Sequence, residues 1–277
     1  MYRENDKTLF FIITSTFNRS DLVLRTVNSV LQQNYRHFKL AIFNDGSHQD
    51  YTDLENLINK NPDIIYMKSK INVGSNKSKN IMIDYCIKNF GIENIYFFVL
   101  DDDDYLASNA LSIINDEINI NNKDNWLCFN CNSLSTSTFK NEIYHEYGKI
   151  TYKDFKKNYP GDKHFVFKLE SIGSIRFPEK YFKNGYEHIF LDQLKSKITI
   201  IPETVKIIEY QENGLSLSPL YHSFGSIPTA VKHVLSAPRV PSYYWLLIKS
   251  LKMKSIIKMT IGENRYYKIK NLFKLRK

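Results

Sequence analysis

Four carboxylates stand in a row at Asp101-Asp102-Asp103-Asp104, directly after the apolar run Phe97-Phe98-Val99-Leu100. Neighbouring anions repel one another unless cations or hydrogen-bond donors offset them. Hard oxygen ligands of this kind suit Mn2+ or Mg2+, and such an ion bridges two phosphates and neutralises a leaving diphosphate. A solvated acidic helix cap would use the same residue type, because Asp is favoured near helix N-termini. Four in succession behind a buried strand exceed what a cap needs. Cys128 and Cys131 have C-x-x-C spacing. They lie in a strand-like segment, where residues three apart point to opposite faces, and no second Cys/His pair completes a zinc site. No G-x-G-x-x-G follows the first apolar run and no Walker sequence occurs, which argues against a dinucleotide enzyme and a P-loop ATPase.

The elements that must position these residues alternate over the first 130 positions. Leu9 to Thr14, Phe38 to Phe43, Ile64 to Met67 and Ile95 to Leu100 are short apolar runs with the length of buried strands. Helix signals separate them. Ser20 and Asp21 offer an N-cap ahead of Val23, Val27, Val30 and Leu31, and Asp53 to Ile58, Lys79 to Ile87 and Ala110 to Ile118 follow. Wholly apolar strands alternating with helices predict an α/β fold, a mostly parallel central sheet flanked by helices on both faces. Ligands of such sheets bind beyond the C-terminal strand ends. The polar clusters Ser15 to Arg19, Asn44 to Ser47, Asn72 to Asn80 and Asp101 to Asp104 all fall there. From Trp126 the apolar segments shorten, with strands expected at Trp126 to Cys131, His164 to Leu169 and Ile198 to Ile201.

The chain has 277 residues, 43% of them hydrophobic, enough for one large domain with a sizeable core. Three cysteines point to a reducing compartment rather than a disulfide framework. Met1 to Lys7 is polar, so no secretory signal is expected, and Tyr243 to Ile248 is far too short to span a bilayer. A cytoplasmic protein is the expectation. The net charge of +9 is confined to the end of the chain. Lys249 to Lys277 holds ten Lys or Arg and one acid, Glu263, whereas the remainder balances. A C-terminal basic extension suits peripheral contact with an anionic membrane. Nucleic acid is not expected as a partner, because no recognition module accompanies the charge.

Six segments, in order, carry a resemblance. Ile12-Ile-Thr-Ser-Thr-Phe-Asn-Arg19 resembles the opening strand and loop of family 2 glycosyltransferases, and Ile42-Phe-Asn-Asp-Gly-Ser47 resembles their Asp-Asp-Gly-Ser turn. Asn72 to Asn80 is similar to the loop that in the family ends Ala-Arg-Asn, and Leu100 to Asp104 to its Asp-x-Asp metal motif. Ile175-Arg-Phe-Pro-Glu179 and Gly185-Tyr-Glu-His188 resemble the Arg-Phe-Pro segment and the Glu-Asp pair. The resemblance implies a GT-A-like nucleotide-sugar-binding fold, a UDP-sugar donor, Mn2+ or Mg2+, and inversion at the anomeric carbon. The change of pattern at Trp126 and the prolines Pro228, Pro238 and Pro241 ahead of the basic tail divide the chain into a nucleotide-sugar half (1–125), an acceptor-side half of the same domain (126–227) and a helical basic extension (228–277). Carried over, Asp45 accepts the uracil N3 hydrogen and Ser15 and Phe17 line the uracil pocket. Arg19, Lys79 and Asp102 join the donor site, Asp101 holds the ribose and Asp103 ligates the metal. Lys79 stands for the usual Arg and Asn44 for the first Asp. His222 is the candidate for the histidine that often completes the metal shell.

Glu187 takes the first acidic position of the Glu-Asp pair and His188 replaces the second, often the base in this family. Either group can accept a proton from an acceptor hydroxyl. Glu187 is preferred, at the start of an expected helix from Glu187 to Lys197, with His188 and then Asp192 behind it. The acceptor implied is a glycan or a lipid-linked glycan, in lipopolysaccharide or capsule assembly. Two other functions compete. A sugar-nucleotide nucleotidyltransferase would carry a glycine-rich loop after the first strand, where this chain has Ser15-Thr-Phe-Asn-Arg19. A non-enzymatic nucleic-acid-binding protein would rest on the tail alone.

Overall fold

The computed structural model describes residues 7–121, 124–134, 143–159, 161–211 and 226–251, together with 258, 260–262 and 265. The chain divides into two compact units, Met1–Gly214 and Leu215–Lys277.

The first unit is built on period-2 burial. Strand β1 (Leu9–Thr16) is buried along almost its whole length. Its alternate residues enter two different cores. Phe10 and Ile12 join one cluster, and Phe11 and Ile13 the other. Strands β2 (Phe38–Asn44) and β4 (Ile95–Val99) divide in the same way, Tyr96 and Phe98 against Phe97. Each face is therefore covered by helices. Helices α1 (Ser20–Leu31), α2 (Thr52–Asn59) and α4 (Ala110–Ile120) fill one side through Val23, Val27, Leu54 and Ile114. Helix α3 (Ser75–Phe90) fills the other through Met82, Ile83 and Cys86.

The sheet runs β3-β2-β1-β4-β8-β6-β9-β5, where β3 is Ile64–Lys68, β5 Tyr105–Leu106, β6 Trp126–Ser133, β8 Lys163–Lys168 and β9 Ile198–Ile208. Strand β7 (Gly148–Ile150) pairs with β9. The expected parallel pairing holds from β3 to β4. From β8 onward the pairs are antiparallel, except β6 with β9. The α/β architecture stands, with a mixed second half.

Several boundaries differ from expectation for identifiable reasons. Ser20 does not cap α1. It lies inside the helix, and its backbone N–H donates to Gln49 Oε1 at 3.2 Å, so the orphan donor is met from another loop. Helix α3 begins at Ser75, one turn before the expected start, because Gly74 (φ +96°) turns the chain into it. Strand β9 continues to Ile208, past the expected end at Ile201. Helices α5 (Tyr152–Asn158) and α6 (Leu169–Ile172) were not expected, although Thr151 Oγ1 accepts the Asp154 N–H at 3.2 Å in an ordinary N-cap of α5. The helix expected from Glu187 to Lys197 is a single turn, α7 (His188–Leu191).

Cys128 and Cys131 are buried free thiols on β6, and burial pushes both above the usual thiol range. Tyr144 OH lies 3.1 Å from Cys128 Sγ. These are packing residues. Among the described residues, no helix is long and apolar enough to cross a membrane.

Candidate active site

The four polar loops expected at the strand ends are tied to one another. Asn18 N donates to Ser47 Oγ at 3.0 Å, joining the first loop to the second. Asp45 joins the second to the third: its two carboxylate oxygens accept the backbone N–H groups of Val73 (2.6 Å) and Gly74 (2.8 Å). Asp45 is only 3% exposed, so this bracing is a structural duty, and one lone pair remains on each oxygen. Arg19 joins the first loop to the fourth, its Nη1 lying 2.9 Å from both Asp102 Oδ1 and Asp103 Oδ2. Ser15 is half-buried beside this rim, and Phe17 is 42% exposed on it.

The acidic loop is gripped from below. Thr26 Oγ1 lies 3.0 Å from Asp102 O and 2.6 Å from Asp104 O, and Arg25 Nη2 donates to Asp103 O at 2.6 Å. Two adjacent residues of α1 thus lie against three consecutive carbonyls, with Arg25 donating to Asp103 O and the single Thr26 hydroxyl hydrogen serving Asp104 O, the nearer of its acceptors. Arg25 is itself held by Glu209 and lies over the Tyr105 ring. Asp104 turns inward to Lys206 Nζ of β9, 2.7 Å away. Burial opposes the lysine charge, but the carboxylates of Asp104 and Asp101 more than offset it and hold Lys206 well above the usual lysine range. Burial pushes Asp103 up to about 6, helped by the charges of Asp101 and Asp102 and opposed by Arg19.

Lys79 brings the second half of the unit to this loop. Its ammonium is buried, 3.1 Å from Glu187 Oε1 and 3.9 Å from Asp101 Oδ1. Burial works against its charge, and Glu187 and Asp101 outweigh that, so it is held above the usual lysine range. Helix α3 carries two further brackets to the same segment. Asn76 Nδ2 donates to Phe182 O and Gly185 O, and Asn80 exchanges hydrogen bonds with the Phe177 backbone in both directions. Asn80→Ala would leave a buried N–H and a buried C=O without partners. It should lower unfolding free energy by about 2–4 kcal/mol, read from urea denaturation.

Glu187 is therefore partnered by Lys79 rather than by a helix dipole, since the four-residue α7 is too short to supply one. His188, the first residue of α7, is half-buried with its ring 5.9 Å from that of Tyr186. Asp192 pairs with Lys156 on α5. His222 lies outside the described residues.

At this site Asp101 to Asp104 and Glu187 provide five carboxylates, and Arg19, Lys79 and Lys206 three cations. Two negative charges remain over, which is what one divalent cation would neutralise. Hard carboxylate oxygens suit Mn2+ or Mg2+, so the donor set fits such an ion. Among the described residues, no three ligating side chains converge on one point.

A family model described as glycosyl transferase family 2 matches residues 11–172. The chain belongs to glycosyltransferase family 2. It is 27% identical over 179 residues to GalNAc(5)-diNAcBac-PP-undecaprenol beta-1,3-glucosyltransferase of Campylobacter jejuni, covering 62% of this chain and 56% of that one. It is 30% identical over 102 residues to an uncharacterized glycosyltransferase of Rickettsia bellii, covering 37% and 14%. The chain thus spans little more than half of the first relative and a small part of the second. The fold is similar to S. aureus TarS 1-349 in complex with UDP-GlcNAc, with a TM-score of 0.67 at 14% identity over 88% of this chain and 72% of that one. It is also similar to GalNAc-T7 with UDP, GalNAc and Mn2+, with a TM-score of 0.59 at 16% identity, over 86% and 48%. Likeness at these identities is one of fold, and it bears out the GT-A-like architecture.

Of the family 2 positions expected from sequence, the structure gathers Arg19, Lys79, Asp101, Asp102, Asp103 and Glu187 on one charged rim. Sequence reasoning missed Arg25, Thr26 and Lys206, and it placed Asn76 and Asn80 in a polar loop without their bracing role. Arg25 and Thr26 read as ordinary helix positions. Lys206 had a signal, a lone lysine between Val205 and Ile207 in an apolar run.

Proposed function

We propose that this protein is an inverting, metal-dependent glycosyltransferase that moves a sugar from a UDP-sugar to a glycan or lipid-linked acceptor. The observation that carries the reading is the salt-bridge path Asp101–Lys79–Glu187, which sets a half-exposed carboxylate across from the acidic loop. In a single displacement, the acceptor oxygen attacks the anomeric carbon while the bond to the β-phosphate breaks. The hydroxyl proton passes to Glu187, and UDP leaves. Asp103, with Asp101 nearby, would hold Mn2+ or Mg2+, which when bound neutralises the leaving diphosphate. Lys79 and Arg19 add fixed positive charge beside the same phosphates. Asp45, Ser15 and Phe17 would form the uracil side, where Asp45 keeps lone pairs that can accept the N3 hydrogen.

The UDP and UDP-GlcNAc complexes of TarS and the undecaprenol-linked substrate named for the Campylobacter relative support this donor and acceptor. The Mn2+ in the GalNAc-T7 structure supports the metal. The pathway proposed for such partners is surface polysaccharide assembly, in lipopolysaccharide or capsule. Work at the inner face of the cytoplasmic membrane would then use the basic tail. A hydrolysis screen of nucleotide sugars with Mn2+ tests the reading. Release of UDP from at least one UDP-sugar, and its loss in EDTA, is the expected result. Full turnover in EDTA would remove the metal from the mechanism.

A further inference from the structure

The second unit contains two short helices, α8 (Ile227–Ser236) and α9 (Pro241–Ser250). Ser226 Oγ accepts the Thr229 N–H and starts α8, and Pro241 starts α9. The two pack through His233 and Tyr243, whose rings meet edge to face at 5.1 Å. On α9, Tyr243 and Ser250 are buried.

The outer side of α9 is apolar. Tyr244 is 44% exposed, Trp245 65%, Ile248 54% and Leu251 41%. Positions 244, 248 and 251, with 245 beside them, recur at helical spacing and form one stripe. On α8, Val231 and Leu235 are exposed as well. Among the described residues, six of the fourteen exposed large apolar side chains fall within residues 231–251, whereas those of the first unit are scattered. Single exposed apolar residues are ordinary; a clustered stripe marks a binding surface.

Charge decides which partner fits. From Asn213 to Gly262 the sequence holds no Asp or Glu, and Lys232, Arg239 and Lys249 flank the apolar positions. The tail that follows from Lys249 carries ten bases and one acid. Two copies meeting through this face would bring two such tails together. Nucleic acid would use the cations but gain nothing from Ile248 and Leu251. An anionic bilayer uses both: basic side chains meet the headgroups, Trp and Tyr sit at the headgroup level, and aliphatic side chains enter the acyl boundary.

We propose that the outer face of α9, with Trp245 as its anchor, docks onto the anionic surface of a lipid bilayer, lying in the interface without crossing it. The proposal rests on the lipid-linked acceptor only for its purpose; its physics stands on the exposed stripe and the acid-free sequence around it.

The two tryptophans make the test direct. Trp126 is fully buried in the first unit and Trp245 is exposed, so a change in emission on adding vesicles reports Trp245. With the full chain and vesicles of half phosphatidylglycerol, half phosphatidylcholine, emission should shift to the blue and be quenched by brominated acyl chains. Pure phosphatidylcholine should bind more weakly. Ile248→Ser with Leu251→Ser keeps Trp245 as the probe and should weaken partitioning by about tenfold or more, because apolar burial drives interfacial insertion. Hydrolysis of a soluble nucleotide sugar should be unchanged in that variant. Unshifted Trp245 emission at saturating anionic vesicles overturns the proposal, as does equal partitioning of the variant. A lipid-free dimer that the variant converts to monomer would assign the face to a second copy instead. Vesicle binding without any donor hydrolysis in the parent chain would leave the docking surface standing and sink the transferase reading.

Discussion

Asp103→Asn should lose nearly all Mn2+-dependent transfer, about 10³-fold or more, with no drop in thermal stability. A bound cation supplies several kcal/mol of stabilisation to a leaving diphosphate, and each 1.36 kcal/mol is tenfold in rate. Stability should hold because Asp103 stands among like charges, and Asn can still accept from Arg19 Nη1. Its immediate neighbour should behave in the opposite way. Asp104 faces Lys206 in a buried pair, and breaking such a pair leaves an uncompensated charge, at a cost of about 3–5 kcal/mol. Asp104→Leu should therefore lower the melting temperature first and activity as a consequence. Activity against added Mn2+, read beside a thermal melt, separates the two residues. Asp103→Asn with normal turnover would remove Asp103 from the metal site. A melting temperature unchanged in Asp104→Leu would show that the pair does not hold the loop.

The donor-side half was largely legible in the sequence because its information is local. A buried strand with helices on both faces must be apolar throughout, and Phe10 to Ile13 and Tyr96 to Phe98 show this directly. The loops that follow carry the polar residues, so their placement at one rim follows from the fold class. What stayed hidden depends on partners far apart in the chain. Asn76 and Asn80 read as part of a polar loop before the helix, yet they lie in α3 and are buried because the segment from Phe177 to Gly185 lies over them. Arg25 and Thr26 look like solvent positions between Val23 and Val27, but the acidic loop folds back onto them. The helix expected after Glu187 failed for a similar reason. Ile189, Phe190 and Leu191 are three consecutive buried residues, which a one-turn segment packed against the core satisfies and a longer amphipathic helix does not. Interactions of long sequence separation leave little periodicity to read.

The residue that should matter most on the acceptor side is Glu187. A sugar hydroxyl holds its proton too tightly to release it before the new bond forms, and a positioned base contributes about 10²- to 10⁴-fold. The geometry meets the first requirement of such a base, since the buried Lys79 ammonium holds Glu187 Oε1 at 3.1 Å while 41% of the Glu187 side chain stays open. Glu187→Gln preserves an oxygen for the Lys79 ammonium, so the segment and the donor site should keep their shape. What is lost is the ability to take the proton. The expected result is a fall in kcat of about 10²-fold or more, with the donor KM and Mn2+ dependence close to those of the parent chain. His188→Ala should have a smaller effect, because Glu187 is the group that Lys79 ties to Asp101. Lys79→Met gives the third arm. It leaves Glu187 ionisable but without its anchor and takes positive charge from beside Asp101, so kcat and donor KM should both worsen. Near-normal turnover of Glu187→Gln alongside a dead His188→Ala would make the imidazole the base, and the Lys79–Glu187 pair would then be a brace between the two halves of the site.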